Sequence, residues 1–318
     1  MIIAIIGSTG LVGQEIFKIL KSKKTKSITK VLLVSTKETV QRLKTKDLIT
    51  IDEAIKIKPN FVLFSAGSNV SIQYAQKFIT NGAIIIDNSS AFRMNPKYKL
   101  IVPEINKNTL TKQDKIIANP NCSTIQLVLP LYALQKKYKI KRIVVSTYQA
   151  VTGSGKAALT QLKEEQLNKI PKKKIYPKQI FQNVIPQCDV FLPNGYTKEE
   201  EKIIQETNKI LSTKIPITAT SVRVPTIGGH GESVNVEFKE EFDMQIVQTL
   251  LKNQSGVCLD LGEVYKTPIE THGKDTVFVS RLRRDYSVKN GLNFWIVADP
   301  LLKGAATNAT QILTYLLN

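Results

Sequence analysis

The chain opens with a short apolar run that stops at a glycine-rich turn, and this combination restricts the fold more than any other feature. Residues 2–6 are all apolar, which is typical of a parallel strand covered on both faces. The turn Gly7-Ser8-Thr9-Gly10-Leu11-Val12-Gly13 follows, and residues 14–20 are amphipathic at helical spacing. Glycines let a backbone approach a pyrophosphate closely, and the N–H groups at a helix start hold its charge. The pattern therefore predicts a Rossmann-type dinucleotide-binding domain.

The end of the second predicted strand indicates which dinucleotide is bound. This strand covers residues 31–34 and ends at Ser35. Sites that prefer NAD usually carry a carboxylate here for the ribose 2′-hydroxyl, and that carboxylate would repel a 2′-phosphate. This chain offers the hydroxyls of Ser35 and Thr39 and the cation of Lys37. The segment favours NADP, and an ordinary strand-to-loop exit is the alternative.

Two further predicted strands place polar residues at the same edge of the sheet. Residues 61–64 run into Ser65-Ala66-Gly67, and residues 83–86 run into the segment from Asp87 to Arg93. Ligands of a doubly wound sheet lie outside the carboxyl ends of its strands. Both segments are therefore expected to line a cofactor and substrate crevice.

Cys122 is a candidate nucleophile. It follows Asn119-Pro120-Asn121 and precedes an apolar stretch, so we expect it in the first turn of a helix with Asn121 as the cap. A helix start favours the thiolate. An inert, small apolar cysteine is the alternative. A thiol nucleophile needs a base, and the chain has only His230, in a glycine-rich turn, and His272; spacing does not choose between them.

The formal net charge of +19 invites a nucleic-acid partner. Seven of the 45 basic residues are arginine, which leaves 38 lysines, and these are scattered without interleaved aromatic residues. Solvated surface is the better interpretation, so we expect no nucleic-acid partner. In such a chain, an arginine is expected where carboxylate or phosphate needs a planar, two-pronged donor.

The three cysteines are far apart and show no metal-ligand spacing, so no metal is expected. No apolar run approaches the ~20 residues that cross a bilayer. The first residues lack the basic leader and cleavage site of a signal peptide. These features predict a cytoplasmic protein without a membrane partner.

Several motifs together resemble the aspartate-β-semialdehyde dehydrogenase family, in family order over nearly the whole chain. They are Ser89-Ser90-Ala91-Phe92-Arg93-Met94, Asn119-Pro120-Asn121-Cys122-Ser123-Thr124-Ile125-Gln126, Thr147-Tyr148-Gln149-Ala150-Val151-Thr152-Gly153-Ser154-Gly155, Gly195-Tyr196-Thr197-Lys198-Glu199-Glu200-Glu201-Lys202, Arg223-Val224-Pro225 with His230, Asn290-Gly291-Leu292-Asn293, and Lys303-Gly304-Ala305-Ala306-Thr307-Asn308-Ala309.

The resemblance implies a reaction and roles for individual residues. The reaction is the reversible, NADPH-dependent reduction of L-aspartyl-4-phosphate to L-aspartate-4-semialdehyde and phosphate, in the synthesis of lysine, diaminopimelate, threonine and methionine. Cys122 would form a thioester, His230 would be the acid/base, and Gln149 would orient the substrate. The substrate would be held by Arg93, Asn121, Glu200, Lys202 and Arg223, and Ser154 and Gly155 would join the cofactor set.

The resemblance also implies an architecture. Residues 1–123, with a returning C-terminal helix at 299–318, would form the dinucleotide-binding domain. Residues 124–298 would form a second α/β domain that carries catalysis and joins a homodimer. The Lys-rich segment from Lys169 to Lys178 is expected to be a mobile surface loop.

Some residues depart from the family pattern. Lys37 and Thr39 lie where the family usually shows Ser-x-Arg-Ser-x-Gly, and Pro300 and Leu302 replace an asparagine and an arginine. These departures predict weaker cofactor binding. The extra glycines around His230 predict a loosely held ring.

Two rival functions remain at this point. N-acetyl-glutamyl-phosphate reductases share the chemistry, but their cysteine motif usually reads Asn-Pro-Gly-Cys-Tyr-Pro-Thr, unlike the motif at Cys122. A basic nucleic-acid-binding protein is the rival from another class, and tight, salt-sensitive binding in a gel-shift test would support it.

Overall fold

The computed structural model describes residues 1–22 and 27–318, which form two compact units. Unit 1 comprises Met1–Asn121 and Ala305–Asn318, and unit 2 comprises Cys122–Gly304. The predicted boundaries lay at 123/124 and 298/299. The observed units divide immediately before Cys122 and immediately after Gly304.

Unit 1 is built on a parallel sheet. Its strands are β1 (Ile2–Ile6), β2 (Lys30–Ser35), β3 (Leu48–Thr50), β4 (Phe61–Phe64), β5 (Ile84–Asp87), β6 (Lys99–Leu100) and β7 (Ile116–Ala118). Within the described residues their order is β3-β2-β1-β4-β5-β7-β6, and each neighbouring pair is parallel. The order reverses between β1 and β4, which is the switch point where a doubly wound sheet binds its ligand.

Helices cover the sheet of unit 1. They are α1 (Leu11–Ser22), α2 (Lys37–Leu43), α3 (Ile51–Ile57), α4 (Ser68–Thr80), α5 (Pro103–Asn106) and the C-terminal α10 (Thr307–Leu317), with a 3₁₀ turn at Lys107–Thr109. The apolar face of α10 packs with Ile3, Ile5 and Ile16 in one core cluster. Asn308 donates to the carbonyl of Ile101 at 2.9 Å and to Asn119 Oδ1 at 2.7 Å. The predicted return of the C-terminal helix is thereby confirmed.

Unit 2 combines a mixed sheet with helices. Its elements are α6 (Cys122–Lys137), β8 (Ile140–Ala150), α7 (Lys156–Gln166), α8 (Lys198–Leu211), β9 (Ile217–Val224), β10 (His230–Phe238), α9 (Met244–Lys252), β11 (Val257–Leu259), β12 (Val277–Asp285) and β13 (Gly291–Ala298). A 3₁₀ turn at Val151–Ser154 precedes α7, and a π-helical segment at Leu302–Ala306 precedes α10.

In the part of unit 2 that the structure describes, the strand order is β11-β12-β13-β10-β8-β9. β8 runs parallel to β9 and antiparallel to β10. The end of β8, the end of β9 and the start of β10 therefore come to one edge of the sheet. The α/β fold class predicted from the sequence is confirmed, with a parallel sheet in unit 1 and a mixed one in unit 2.

Candidate active site

Cys122 is the first residue of α6 and is partly exposed. A Cβ placed on Gly304 would lie only 2.9 Å from the Cβ of Cys122, so the π-helical segment packs directly against this residue. Among the described residues no disulfide joins Cys122, Cys188 and Cys258. Cys188 is buried, and burial raises the pKa of its thiol to about 12, so it is a poor nucleophile.

Gln149 links the helix that carries Cys122 to the sheet. Its amide nitrogen donates to Ser123 Oγ at 2.5 Å and to Glu199 Oε1 at 3.1 Å. The side chain is buried, and within the described structure its carbonyl oxygen has no hydrogen-bond partner. A buried acceptor without a partner is costly, unless a ligand satisfies it. The amide is held rigidly, and its oxygen remains available to a substrate.

His230 is held at the start of β10 with a defined tautomer. The backbone N–H of Ala150 donates to His230 Nδ1 at 3.0 Å, so Nδ1 must present its lone pair and the neutral ring carries its proton on Nε2. Burial, together with the nearby charge of Arg223, lowers the pKa of the imidazole to about 3. Nε2 is buried without a partner among the residues described. His230 is therefore a neutral donor at neutral pH.

Arg223 and His230 both form hydrogen bonds with the backbone of Ala150. Its Nη1 donates to the carbonyl of Ala150 at 2.9 Å, and its backbone pairs with Ile185 in both directions, at 2.8 and 2.9 Å. The Nε–H is buried and, within the described residues, lacks an acceptor. A Cβ on Gly153 would lie 2.7 Å from His230 Nε2 and 3.3 Å from Arg223 Nη1. Both polar groups thus converge on Gly153, where only glycine leaves room.

The glycines around His230 do not loosen it, contrary to the expectation from the sequence. A Cβ on Gly229 would lie 2.2 Å from Thr271 Oγ1, and one on Gly231 would lie 2.3 Å from the ring of Trp295. These glycines allow close packing on both sides of His230, whose side chain is 1% exposed. The expectation was wrong because glycine was interpreted as flexibility where it permits contact.

Two adjacent glutamates on α8 have different surroundings. Glu200 accepts from the backbone N–H groups of Thr197 at 2.6 Å and of Ser221 at 2.7 Å, so its carboxylate caps α8 and joins it to β9. Glu199 instead bonds to Gln149 and lies 3.1 Å from Lys202 Nζ. Glu199 is thus the acid beside Gln149, and the sequence analysis did not select it. Its spacing of three from Lys202, one helical turn, was the available signal.

Lys202 lies in an acidic setting. Its Nζ is 2.7 Å from Asp189 Oδ2 as well as 3.1 Å from Glu199 Oε2. Burial works against the charged ammonium, but these two carboxylates raise the pKa of Lys202 above its ordinary value. Lys202 therefore keeps its positive charge next to Glu199.

His272, the other candidate base, has a structural environment. Its Nδ1 lies 3.1 Å from Asp299 Oδ2, which also accepts the N–H of Gly273 at 2.8 Å. The other oxygen of Asp299 accepts the N–H of Leu301 at 2.8 Å. This cluster fixes the chain at the start of the π-helical segment, so the geometry favours His230 as the functional histidine.

Unit 1 contains the glycine turn, and its packing fits a dinucleotide. A Cβ on Gly7, whose φ is +83°, would lie 2.8 Å from the carbonyl oxygen of Ser65, and one on Gly13 would lie 2.3 Å from the carbonyl oxygen of Gly7. The turn therefore packs tightly against Ser65, at the end of β4. The first N–H groups of α1 have no partners within the helix. Such a cradle suits a pyrophosphate.

The other predicted cofactor residues lie in three places. Ser35 ends β2, Lys37 begins α2 with an exposed side chain, and Thr36 Oγ1 donates to Thr39 Oγ1 at 3.0 Å. The segment Ser65-Ala66-Gly67 follows β4 and touches the glycine turn through Ser65. Ser154 and Gly155 lie in unit 2, before α7.

The remaining predicted substrate residues belong to unit 1. Arg93 is buried, and its Nη2 donates to the carbonyl of Asn88 at 2.7 Å. Asn121 is buried directly before α6. Burial raises the pKa of Asp87, whose carboxylate accepts from Ser71 and Ser89 and thereby fixes the loop that carries Arg93.

Among the described residues, no group of three or more His, Cys, Asp or Glu side chains could hold a metal ion. No helix in the described ranges is long and apolar enough to cross a membrane.

A dinucleotide cradle in one unit and a Cys122, Gln149, His230 and Arg223 cluster in the other define a thiol-dependent dehydrogenase class. Comparisons with known proteins agree. Residues 2–113 match the family model "Semialdehyde dehydrogenase, NAD binding domain", and residues 131–303 match "Semialdehyde dehydrogenase, dimerisation domain".

Whole-chain relatives make the assignment narrower. An aspartate-semialdehyde dehydrogenase of Aquifex aeolicus is 41% identical, over 99% of this chain and 97% of its own, and one of Bacillus subtilis is 40% identical, over 98% and 95%. The crystal structure of aspartate semialdehyde dehydrogenase II of Vibrio cholerae, complexed with ASA, superposes with a TM-score of 0.93 at 36% identity, covering 99% of this chain and 98% of that one. The chain belongs to the aspartate-semialdehyde dehydrogenase family, which confirms the resemblance.

Proposed function

We propose that the protein catalyses the reversible, NADPH-dependent reduction of L-aspartyl-4-phosphate to L-aspartate-4-semialdehyde and phosphate, within amino-acid biosynthesis. One observation supports this most: three buried polar atoms, Gln149 Oε1, His230 Nε2 and Arg223 Nε, lack partners within the described residues and belong to one cluster with the helix that Cys122 begins. They provide an acceptor and two donors to a substrate that carries an ammonium, a carbonyl and a carboxylate.

Cys122 is the proposed nucleophile. In the reductive direction its thiolate attacks the acyl carbon of aspartyl phosphate, the C–O bond to phosphate breaks, and a thioester forms. The positive end of α6 and the N–H groups of its first turn stabilise the thiolate. Reduction of the thioester gives a hemithioacetal oxyanion, and its collapse expels the thiolate and releases the aldehyde.

His230 serves in this proposal as a neutral hydrogen-bond donor to the substrate oxygen. The Nε2–H can stabilise negative charge that develops on that oxygen, as a neutral imidazole does in other enzymes. A role as base toward the thiol would require the ring proton on Nδ1, where the N–H of Ala150 already donates. The donor role refines the acid/base assignment that the resemblance implied.

The substrate's charged groups have proposed partners. Arg223, with its buried Nε–H, binds the α-carboxylate in a two-pronged manner. Glu199, rather than Glu200, is proposed to face the α-ammonium, because its carboxylate contacts the Gln149 side chain, whereas the carboxylate of Glu200 is bound to the backbone N–H groups of Thr197 and Ser221. Lys202, Arg93 and Asn121 are proposed to bind the phosphate group of the substrate.

The cofactor is proposed to lie on the turn from Gly7 to Gly13, with Ser65 to Gly67 beside it. When bound, NADPH supplies the hydride that reduces the acyl carbon. Ser35, Lys37 and Thr39 would hold the 2′-phosphate, since β2 ends at Ser35 and neither of the next two residues, Thr36 and Lys37, is a carboxylate. Ser154 and Gly155 are proposed to complete the cofactor set from unit 2.

We also propose a cytoplasmic homodimer. The match of residues 131–303 to a dimerisation domain supports the assembly of two copies of this chain. Sedimentation at micromolar concentration is expected to give twice the chain mass of 35.5 kDa, and a species of single-chain mass would contradict this.

The direct test is a steady-state assay. Purified protein is mixed with aspartate semialdehyde and phosphate, and NADPH formation is followed with NADP or NAD as acceptor. We expect phosphate-dependent turnover that is faster with NADP. Cys122→Ala should abolish it, whereas Cys258→Ala, at an exposed cysteine, should retain it. Phosphate-independent turnover, or an active Cys122→Ala enzyme, would contradict the proposal.

A further inference from the structure

The segment that follows α7 is fastened to that helix by side chains. Gln161 Oε1 accepts the backbone N–H of Tyr176 at 3.2 Å and that of the preceding residue at 2.6 Å. Glu165 Oε2 accepts the N–H groups of Ile180 and Phe181, each at 2.8 Å. These bonds give the part of the Lys-rich segment around Tyr176 a defined path.

This path places the Tyr176 ring beside Arg223. Tyr176 is 7% exposed and packs in an apolar cluster with Val151, Ile180 and Ile185. The guanidinium carbon of Arg223 lies 5.9 Å from the centroid of the ring. Ile185 is the residue whose backbone pairs with Arg223. The apolar cluster thus holds the Tyr176 ring, and the guanidinium of Arg223 lies over that ring.

We propose that Tyr176 is a positioning residue for Arg223, setting the guanidinium toward the substrate's α-carboxylate; this rests on the function proposed above. A face-on aromatic ring attracts a guanidinium without using its N–H groups, which stay available to a carboxylate. Burial raises the pKa of the Tyr176 phenol, so the ring stays neutral beside the cation.

The test separates substrate binding from turnover. Tyr176→Leu removes the ring and should raise the KM for aspartate semialdehyde by about 3- to 30-fold, the range that a cation–π contact provides. The kcat and the KM for phosphate should stay near wild type, and Tyr176→Phe should restore the KM. With 3-aminopropanal, which lacks the carboxylate, Tyr176→Leu and wild type should behave alike.

Phe181→Leu is the matched control, because it removes a ring from the same segment that packs on the same cluster. Tyr176→Met provides a second ring-free variant should the leucine variant not fold. An equal KM change in Phe181→Leu, or an equal loss with 3-aminopropanal, would overturn the proposal.

Calorimetric binding of aspartate semialdehyde to Cys122→Ala protein, with and without Tyr176→Leu, repeats the comparison without turnover. Weaker binding with Tyr176→Leu supports the positioning role, even if the wild-type enzyme fails the phosphate-dependent assay and the proposed reaction is rejected. Equal binding overturns the positioning role, even if the wild-type enzyme is active.

Discussion

At the scale of single residues, Glu199 and Glu200 are adjacent carboxylates that the structure uses differently. Glu199→Gln is expected to raise the KM for aspartate semialdehyde, because the amide no longer offers a charge to the substrate's ammonium. Glu200→Gln should leave the KM near wild type but lower the melting temperature, since one N–H loses its acceptor, a cost of about 0.5–2 kcal/mol.

Steady-state kinetics and thermal melting of both variants check this prediction. The reverse result, a KM effect confined to Glu200→Gln, would return the ammonium-binding role to Glu200.

His230 gives a prediction that depends on pH. Its pKa is lowered from the ordinary 6.5 to about 3 in the folded protein, so the unfolded chain binds the proton more tightly. The stability that the neutral ring contributes is therefore present above about pH 6.5 and is lost as the pH falls toward 3. Nitrogen NMR of the labelled protein should show a protonated Nε2 and an unprotonated Nδ1 at pH 7 and at pH 5.

A ring that titrates near pH 6.5, or that carries its proton on Nδ1, would contradict the tautomer and the donor role. His272, half-exposed beside Asp299, is the internal reference for that measurement.

Where one residue type suits a task, the sequence indicated candidates whose surroundings in the structure fit the predicted roles. Scarcity singled out arginine, and Arg223 is indeed buried with an open donor. Neighbours of one residue type, such as Glu199 and Glu200, are harder to distinguish from the sequence, because helical phase and capping separate them only in three dimensions. The tautomer of His230 depends on Ala150, some 80 residues distant in sequence, and no local pattern carries that information.

At the scale of elements, β10 carries a buried acid as well as His230. Glu232 lies two residues after His230, is fully buried, and faces Thr147 across the β8–β10 pair. Burial raises the pKa of Glu232 well above its ordinary 4.5, and Glu199 adds to this, while Gln126 opposes it. The folded state therefore favours the protonated carboxyl, and its contribution to stability is lost as the pH rises.

Glu232→Gln should consequently raise the melting temperature at pH 8 by about 2–8 °C, with a smaller gain at pH 4.5. Glu237→Gln, on the same strand in a surface pair with Lys141, should change it little at either pH. A gain that is independent of pH would contradict the raised pKa, and a loss at pH 8 would show that Glu232 is ionised and satisfied in the folded protein.

Element prediction from the sequence was accurate for apolar strands and less so for short ones. The predicted strands at residues 2–6 and 61–64 match β1 and β4. β3, β6 and α3 were not predicted. The two strands have only three and two residues, which carry no periodicity, so their pairing partners decide their structure. The π-helical segment before α10 was predicted as ordinary helix, because the local sequence pattern does not distinguish the two.

At the scale of the whole molecule, the charge of +19 does not define the site. The lysines are dispersed, whereas Arg93 and Arg223 are buried and each donates to a backbone carbonyl. In the proposed reaction, Cys122 becomes acylated by the substrate. In the proposed reaction the glycine turn of unit 1 binds the cofactor, and Cys122 of unit 2 carries the thiol chemistry.

Single-turnover chemistry without phosphate tests whether Cys122 is acylated. Enzyme is mixed with aspartate semialdehyde and NADP, and the reaction is quenched in acid. The protein is then digested, and the masses of the peptides are measured by mass spectrometry. We predict a burst of about one NADPH per chain and an aspartyl thioester on the peptide that contains Cys122, removed when phosphate is added before the quench. No burst, or an adduct on Cys188 or Cys258 with Cys122 unmodified, would contradict the account.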